Sequence, residues 1–142
     1  MKDIKPIMHS EELVDKCLSL NIKLALVTSS SNESFIKKSK EHQWLNKINI
    51  NVLGDNINLK NRKPFPDPYL LAASTLNIKN EECFAIEDSF AGFMSAFNSG
   101  CFAIGYDPNG TLLRKLSQVE FDINNPKIKL VSSLKEIINF LK

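Results

Sequence analysis

The chain has 142 residues, 43% of them hydrophobic and 24% charged, with a formal net charge of +2. That is enough length for one domain to bury a core without disulfides, and the near-balanced charge lacks the basic footprint of a nucleic-acid binder. There is no signal-peptide pattern after Met1 and no apolar run long enough to span a bilayer, so neither membrane nor export is indicated and the cytoplasm is the expected compartment. Cys17, Cys83 and Cys101 make an odd count without C-x-x-C spacing, each in an apolar segment, and read as reduced core residues.

In chain order, Ser10 can cap a helix whose apolar positions Leu13, Val14, Cys17 and Leu18 recur at helical spacing. Lys23 to Val27, "KLALV", then gives a short buried strand. The polar loop "TSSSN" leads to a second helix around Phe35, Ile36 and Ser39. Ile48, Ile50 and Val52 alternate as a second strand ending at Gly54. "NRKPFPDPY" carries three prolines in close succession and stays irregular until Asp67 caps a third helix, with Pro68 in its first turn and Leu70, Leu71 and Leu76 on its expected buried side. Cys83 to Ile86 form a third strand. Ser89 can cap a helix bearing Phe93, Ala96 and Phe97, which Gly100 stops before a fourth strand, "CFAIGY". Leu112, Leu113 and Leu116 follow in the tail, and a terminal helix starts from a Ser133–Glu136 capping box. Short apolar strands alternating with helices predict the α/β class, a doubly wound, Rossmann-like parallel sheet covered on both faces.

Ligands of such sheets bind at the carboxyl ends of the strands, and three strands deliver polar groups there. The first brings Thr28, Ser29 and Ser30 before a helix start near Asn32; hydroxyls and helix-start amides suit a phosphate, although a serine run is often only a turn. The second is followed by Lys63, which alone would read as a solvated surface group. The third ends in the adjacent acids Glu87 and Asp88, hard oxygen ligands of the kind Mg²⁺ takes beside substrate phosphate, or else charge at a helix N-terminus. Two neighbouring carboxylates repel, so they need solvent, a cation or hydrogen-bond donors. The weight lies in their conjunction at one edge.

"LALVTSSSNES", "GDNINLKNRKPFPDPYLLAAS" and "CFAIEDSFAGFMSAFNSGCFAIGY" together resemble the haloacid dehalogenase-like phosphohydrolases, in particular their beta-phosphoglucomutase-like branch, over roughly residues 4–142. The resemblance implies that Thr28, with the amide of Ser29 and with Asn32, binds the transferring phosphoryl group. It makes Lys63 the group that neutralises phosphoryl charge, and Glu87 and Asp88 the holders of Mg²⁺, which would relieve their repulsion. Members of that family begin with a strand ending in D-x-D-G-T, whose first Asp attacks phosphorus, and a substrate-selecting cap domain follows. Neither is found in these 142 residues, and Asp3 in "KDIKP" lacks both the apolar strand and the G-T. "YDPNGT", Tyr106 to Thr111, echoes the motif, but its second acid is replaced by Asn109, and a turn is the ordinary reading.

By the same resemblance the absent strand is the central one, so the expected fold is an incomplete sheet. Its two neighbours must either pair directly or leave a gap of roughly 10 Å. The implied protein is a core segment, 1–142, of a Mg²⁺-dependent phosphatase or phosphomutase acting on a small phosphorylated metabolite. It would be inactive alone and would need an amino-terminal fragment to supply the nucleophile. A non-catalytic, partner-completed half binding Mg²⁺ and phosphate is the alternative. A receiver-type signalling domain is disfavoured, since receivers place their acids first and their lysine last. His9, His42 and Trp44 have no partner at ligand spacing and read as structural or surface residues.

Overall fold

The computed structural model describes residues 7–141; Asp3 lies outside them. The elements are α1 (Ser10–Ser19), β1 (Ala25–Val27), α2 (Asn32–Glu41), β2 (Ile50–Val52), α3 (Asp67–Leu76), β3 (Phe84–Glu87), α4 (Phe90–Asn98), β4 (Phe102–Tyr106), α5 (Thr111–Gln118), β5 (Ile128–Val131) and α6 (Lys135–Phe140). All strand pairings are parallel, as short apolar strands separated by helices require. They form two separate sheets, β1-β2 and β3-β4-β5. The chain is thus an incomplete doubly wound α/β fold, with β1 and β3 left unpaired to each other.

The three-stranded sheet carries the core. Against one face Phe93, Ala96, Leu112 and Leu116 of α4 and α5 pack with Tyr69 and Ala103. Against the other, Leu13 and Cys17 of α1 and Ile137 and Ile138 of α6 pack with Ile104 and Val131. Apolar burial on both faces accounts for the near-continuous hydrophobic run of β4. Gly105 in that strand lies so close to Leu112 and Leu130 that a Cβ would come within 2.5 Å and 2.7 Å of their side chains.

Several local expectations are met. Ser89 caps α4 by accepting the Gly92 N–H at 3.1 Å, and Gly100 takes up φ +93° just beyond the helix. Others are corrected. Ser10 is the first helical residue, not the cap, and its hydroxyl donates to the Ile7 carbonyl. Asp67 likewise begins α3 without capping it, and accepts the Asn61 N–H instead. The buried side of α3 consists of Pro68, Tyr69, Ala72 and Ala73, while Leu70 is 45% exposed. Leu18 and Leu113 also face outward. The capping box is half made: Glu136 accepts the Ser132 and Ser133 amides, but Ser133 Oγ accepts from Lys135. The strand β5, absent from the sequence-based elements, borders β4. Tyr106 to Thr111 forms the expected turn, with both Asp107 carboxylate oxygens accepting α5 amides from Leu112 and Leu113.

Candidate functional site

The site builds outward from the end of β3. There the chain turns from Glu87 into α4, and the Glu87 carboxylate lies against the helix's first turn so closely that a Cβ on Gly92 would come within 2.0 Å of Oε1. Only glycine admits that approach. Glu87 is 9% exposed, and burying its charge demands compensation. Lys63 Nζ donates to it at 2.6 Å, and the Tyr69 hydroxyl donates a second, short hydrogen bond. Burial first, and the Glu87 charge second, push the Tyr69 phenol well above its ordinary pKa, so it is held as a neutral donor.

Lys63 also donates to the Val27 carbonyl, at 3.1 Å. One ammonium thereby ties the carboxyl end of β1 to that of β3, across the line where the sheets are separate. The next residues after β1, Thr28 and Ser29, line a small depression with Gly54, Leu59, Arg62, Lys63 and Pro68. Its volume, about 10 Å³, is close to that of one water site. Gly54 is required there too, because a Cβ would lie 2.1 Å from the Ser29 carbonyl oxygen. Thr28 Oγ1 accepts the Ser30 N–H at 3.2 Å, which leaves the Thr28 hydroxyl proton free to donate. Lys63 has three N–H donors, of which Val27 and Glu87 take two, so one remains free for a further acceptor at the rim of the depression it lines.

The structure therefore brings together Thr28, Ser29, Lys63 and Glu87. Asp88, adjacent to Glu87, is exposed and makes no hydrogen bond among the described residues. Asn32 does not join them: its N–H donates to both oxygens of Asp55 at 3.1 Å, so a carboxylate already occupies the start of α2. Among the described residues no group of three His, Cys, Asp or Glu side chains could by itself hold a metal ion. Two adjacent carboxylates nonetheless fit a Mg²⁺ that draws its other ligands from substrate phosphate and water. Of the two, Asp88 would be unencumbered, whereas Glu87 would share its carboxylate with Lys63 and Tyr69. The repulsion within the acid pair is thus relieved first by a lysine of the chain itself.

Sequence reasoning missed Tyr69, Arg62, Gly54 and Gly92. Arg62 had a signal, its place beside Lys63, and Gly54 marked the end of a strand. Nothing local announces that Tyr69 reaches a carboxylate 18 residues further on.

Comparison with known proteins follows the same lines. A phosphorylated carbohydrates phosphatase of Thermotoga maritima is 33% identical over 89 residues, covering 63% of this chain and 40% of that protein. The beta-phosphoglucomutase of Bacillus subtilis is 35% identical over 89 residues, covering 60% and 36%. The chain thus matches well under half the length of these two relatives. A crystal structure of a haloacid dehalogenase-superfamily hydrolase from Ehrlichia chaffeensis superposes with a TM-score of 0.75 at 22% identity, over 99% of this chain and 59% of that one, and shares the fold. The family model for haloacid dehalogenase-like hydrolases matches residues 1–106, and with that match this chain belongs to the haloacid dehalogenase-like hydrolase family.

Proposed function

We propose that this chain is the carboxyl-terminal core segment of a Mg²⁺-dependent phosphoryl-transfer enzyme, a phosphatase or phosphomutase, whose substrate is a small phosphorylated metabolite. The observation that carries the reading is the position of Lys63, bonded at once to the end of β1 and to Glu87, beside the depression lined by Thr28 and Ser29. A phosphorylated carbohydrate is the substrate class the two relatives' names suggest.

In this reading the Thr28 hydroxyl and the Ser29 amide donate to phosphoryl oxygens, and the third Lys63 proton neutralises their charge. Asp88 and Glu87 would hold Mg²⁺, which when bound offsets negative charge on the transferring group. Tyr69 keeps Glu87 aimed at the rim. The attacking carboxylate comes from outside these residues, with Asp107 occupied by α5 and Asp55 by α2. Enzymes accelerate phosphomonoester hydrolysis by up to ~10²¹-fold, and binding groups without a nucleophile cannot approach that. The chain alone is therefore expected to bind but not turn over. The engagement of Glu87 by Lys63 and Tyr69 also favours a second reading, a partner-completed half that binds phosphate and Mg²⁺ without chemistry.

The test is amide NMR of the 142-residue chain titrated with inorganic phosphate and MgCl₂. Shifts at Thr28 and Ser29 that Lys63→Met abolishes, and a Mg²⁺ response lost in Asp88→Asn, are expected. Silence at Thr28 and Ser29 overturns the phosphate site. Mg²⁺-dependent hydrolysis of phosphate esters that Asp88→Asn abolishes would overturn the need for an external nucleophile. Recovery of activity on adding a polypeptide bearing the missing carboxylate separates a split enzyme from the non-catalytic reading.

A further inference from the structure

Among the lysines of α2, Lys38 is set apart by what its ammonium meets. Lys37 and Lys40 are exposed, whereas Lys38 is half-buried and donates to the Ser30 hydroxyl at 2.7 Å. Ser30 directly precedes Ser31, the N-cap of the helix, so the charge is carried back to the amino-terminal end of α2, the positive end of its dipole. That placement is unfavourable for a cation, and among the described residues no carboxylate forms an ion pair with Lys38. A lysine that served only to solubilise the helix would stay in water, as Lys37 and Lys40 do. Every polar group of Ser30 is engaged in turn. Its N–H donates to Thr28 Oγ1 at 3.2 Å, its carbonyl accepts the Gly54 N–H at 2.8 Å, and its Oγ accepts from Lys38. The end of β1, the end of β2 and α2 therefore meet at one residue.

We propose that Lys38 is a positioning residue for the phosphate-binding segment: acting through Ser30, it fixes the Thr28 hydroxyl and the Ser29 amide in the geometry that receives phosphoryl oxygens. The inference rests on the phosphoryl-transfer reading and deepens it, by naming what holds that segment in place. Three observations support it. Thr28 Oγ1 accepts from the Ser30 N–H, so the direction left to the Thr28 hydroxyl proton depends on where Ser30 is held. Ser29 has no slack of its own, because its carbonyl packs against Gly54 so tightly that a Cβ there would lie 2.1 Å from the oxygen, and a shift of Ser30 must move it. The only side-chain anchor on Ser30 among the described residues is the Lys38 ammonium, and an ionised donor at 2.7 Å makes one of the stronger hydrogen bonds available to a hydroxyl. Lys38 does not line the depression that Thr28 and Ser29 line, so its action there is indirect.

A double-mutant cycle on the full 142-residue chain tests it, with two readouts by amide NMR: hydrogen exchange without ligand, and the affinity for inorganic phosphate read at Thr28 and Ser29. In Lys38→Met the Ser30 and Gly54 amides are expected to exchange faster while those of β4 are unchanged. Phosphate binding should weaken about tenfold, the effect of one lost charge-assisted hydrogen bond. Ser30→Ala should weaken it by a similar factor, and the double variant no further than either alone, because both changes remove the same contact. Lys38→Arg keeps an N–H donor at the position and should recover most of the affinity. Unchanged exchange at Ser30 and Gly54 in Lys38→Met overturns the proposal. So do losses that multiply in the double variant, or full affinity in Ser30→Ala beside a loss in Lys38→Met, which would leave Lys38 acting by charge alone. Ser30→Ala removes one oxygen from a loop and carries both readouts if Lys38→Met fails to fold. Silence of the wild-type chain towards phosphate overturns the phosphoryl-transfer reading itself, whereas wild-type binding that Lys38→Met leaves intact overturns only the role of Lys38.

Discussion

The halves of the molecule use similar residues and end up differently packed. In the β3-β4-β5 half, Phe93, Ala96, Ala103 and Leu116 are fully buried. In the β1-β2 half, Ala25, Leu26 and Val27 are all only partly buried, and α2 contributes no buried residue at all. Leu26 is no less hydrophobic than Leu116. What differs is the number of layers around it: β4 has strands on both sides and helices on both faces, whereas β1 has a strand on one side and a cleft on the other. Burial belongs to the neighbourhood of a residue, and a strand missing from the middle of a sheet withdraws it from both flanks.

Substitutions can break this contrast. Phe93→Ala should cost about 3–5 kcal/mol, the range for deleting a fully buried aromatic, and abolish cooperative thermal unfolding, while Leu26→Ala should cost less, about 2 kcal/mol, because Leu26 is only partly buried. If the two cost the same in denaturant titrations, the halves are equally packed and the contrast is wrong. Lys63→Met severs the side-chain link from β1 to β3 and strands a buried carboxylate; a loss of about 2–4 kcal/mol is expected, partly recovered by Lys63→Met/Glu87→Gln. Gly92→Ala would stabilise an ordinary helix by about 1 kcal/mol, but the Cβ collides with Glu87, so a lowered melting temperature is expected instead. The smallest effect is in pH. The folded state keeps the Tyr69 proton above the phenol's ordinary pKa while the unfolded state loses it. This contribution to stability is therefore intact below about pH 10 and fades as pH rises through the raised value. In Tyr69→Phe the alkaline loss of stability should be reduced, and the phenolate absorbance should show a single remaining tyrosine, Tyr106.

The parts of this fold that could be read directly were those governed by neighbours in sequence. Ser89 capping α4, Gly100 ending it and the strand "CFAIGY" follow from local chemistry and appear where expected. β5 escaped because Lys127 and Lys129 interrupt its apolar pattern, and it exists as a strand through its pairing with β4. The leucines of α3 suggested the wrong buried face, since the helix packs closely on β1 and β2, where alanines and Tyr69 fit and Leu70 does not. In the candidate site, the sequence motifs anticipated that Thr28, Lys63 and Glu87 would meet at one edge, and the structure places them together there. The link from Asp55 to the Asn32 amide, 23 residues apart in the chain, was not legible in the sequence.

The small side chains of α3 have a bearing on engineering. Ala72 and Ala73 offer only methyl groups to the cleft, so its depth is governed by two positions on a helix that lies outside the strand ends where Lys63 and Glu87 meet. Enlarging either to leucine would fill that space from within, so the room between the two sheets is set by a handful of carbon atoms.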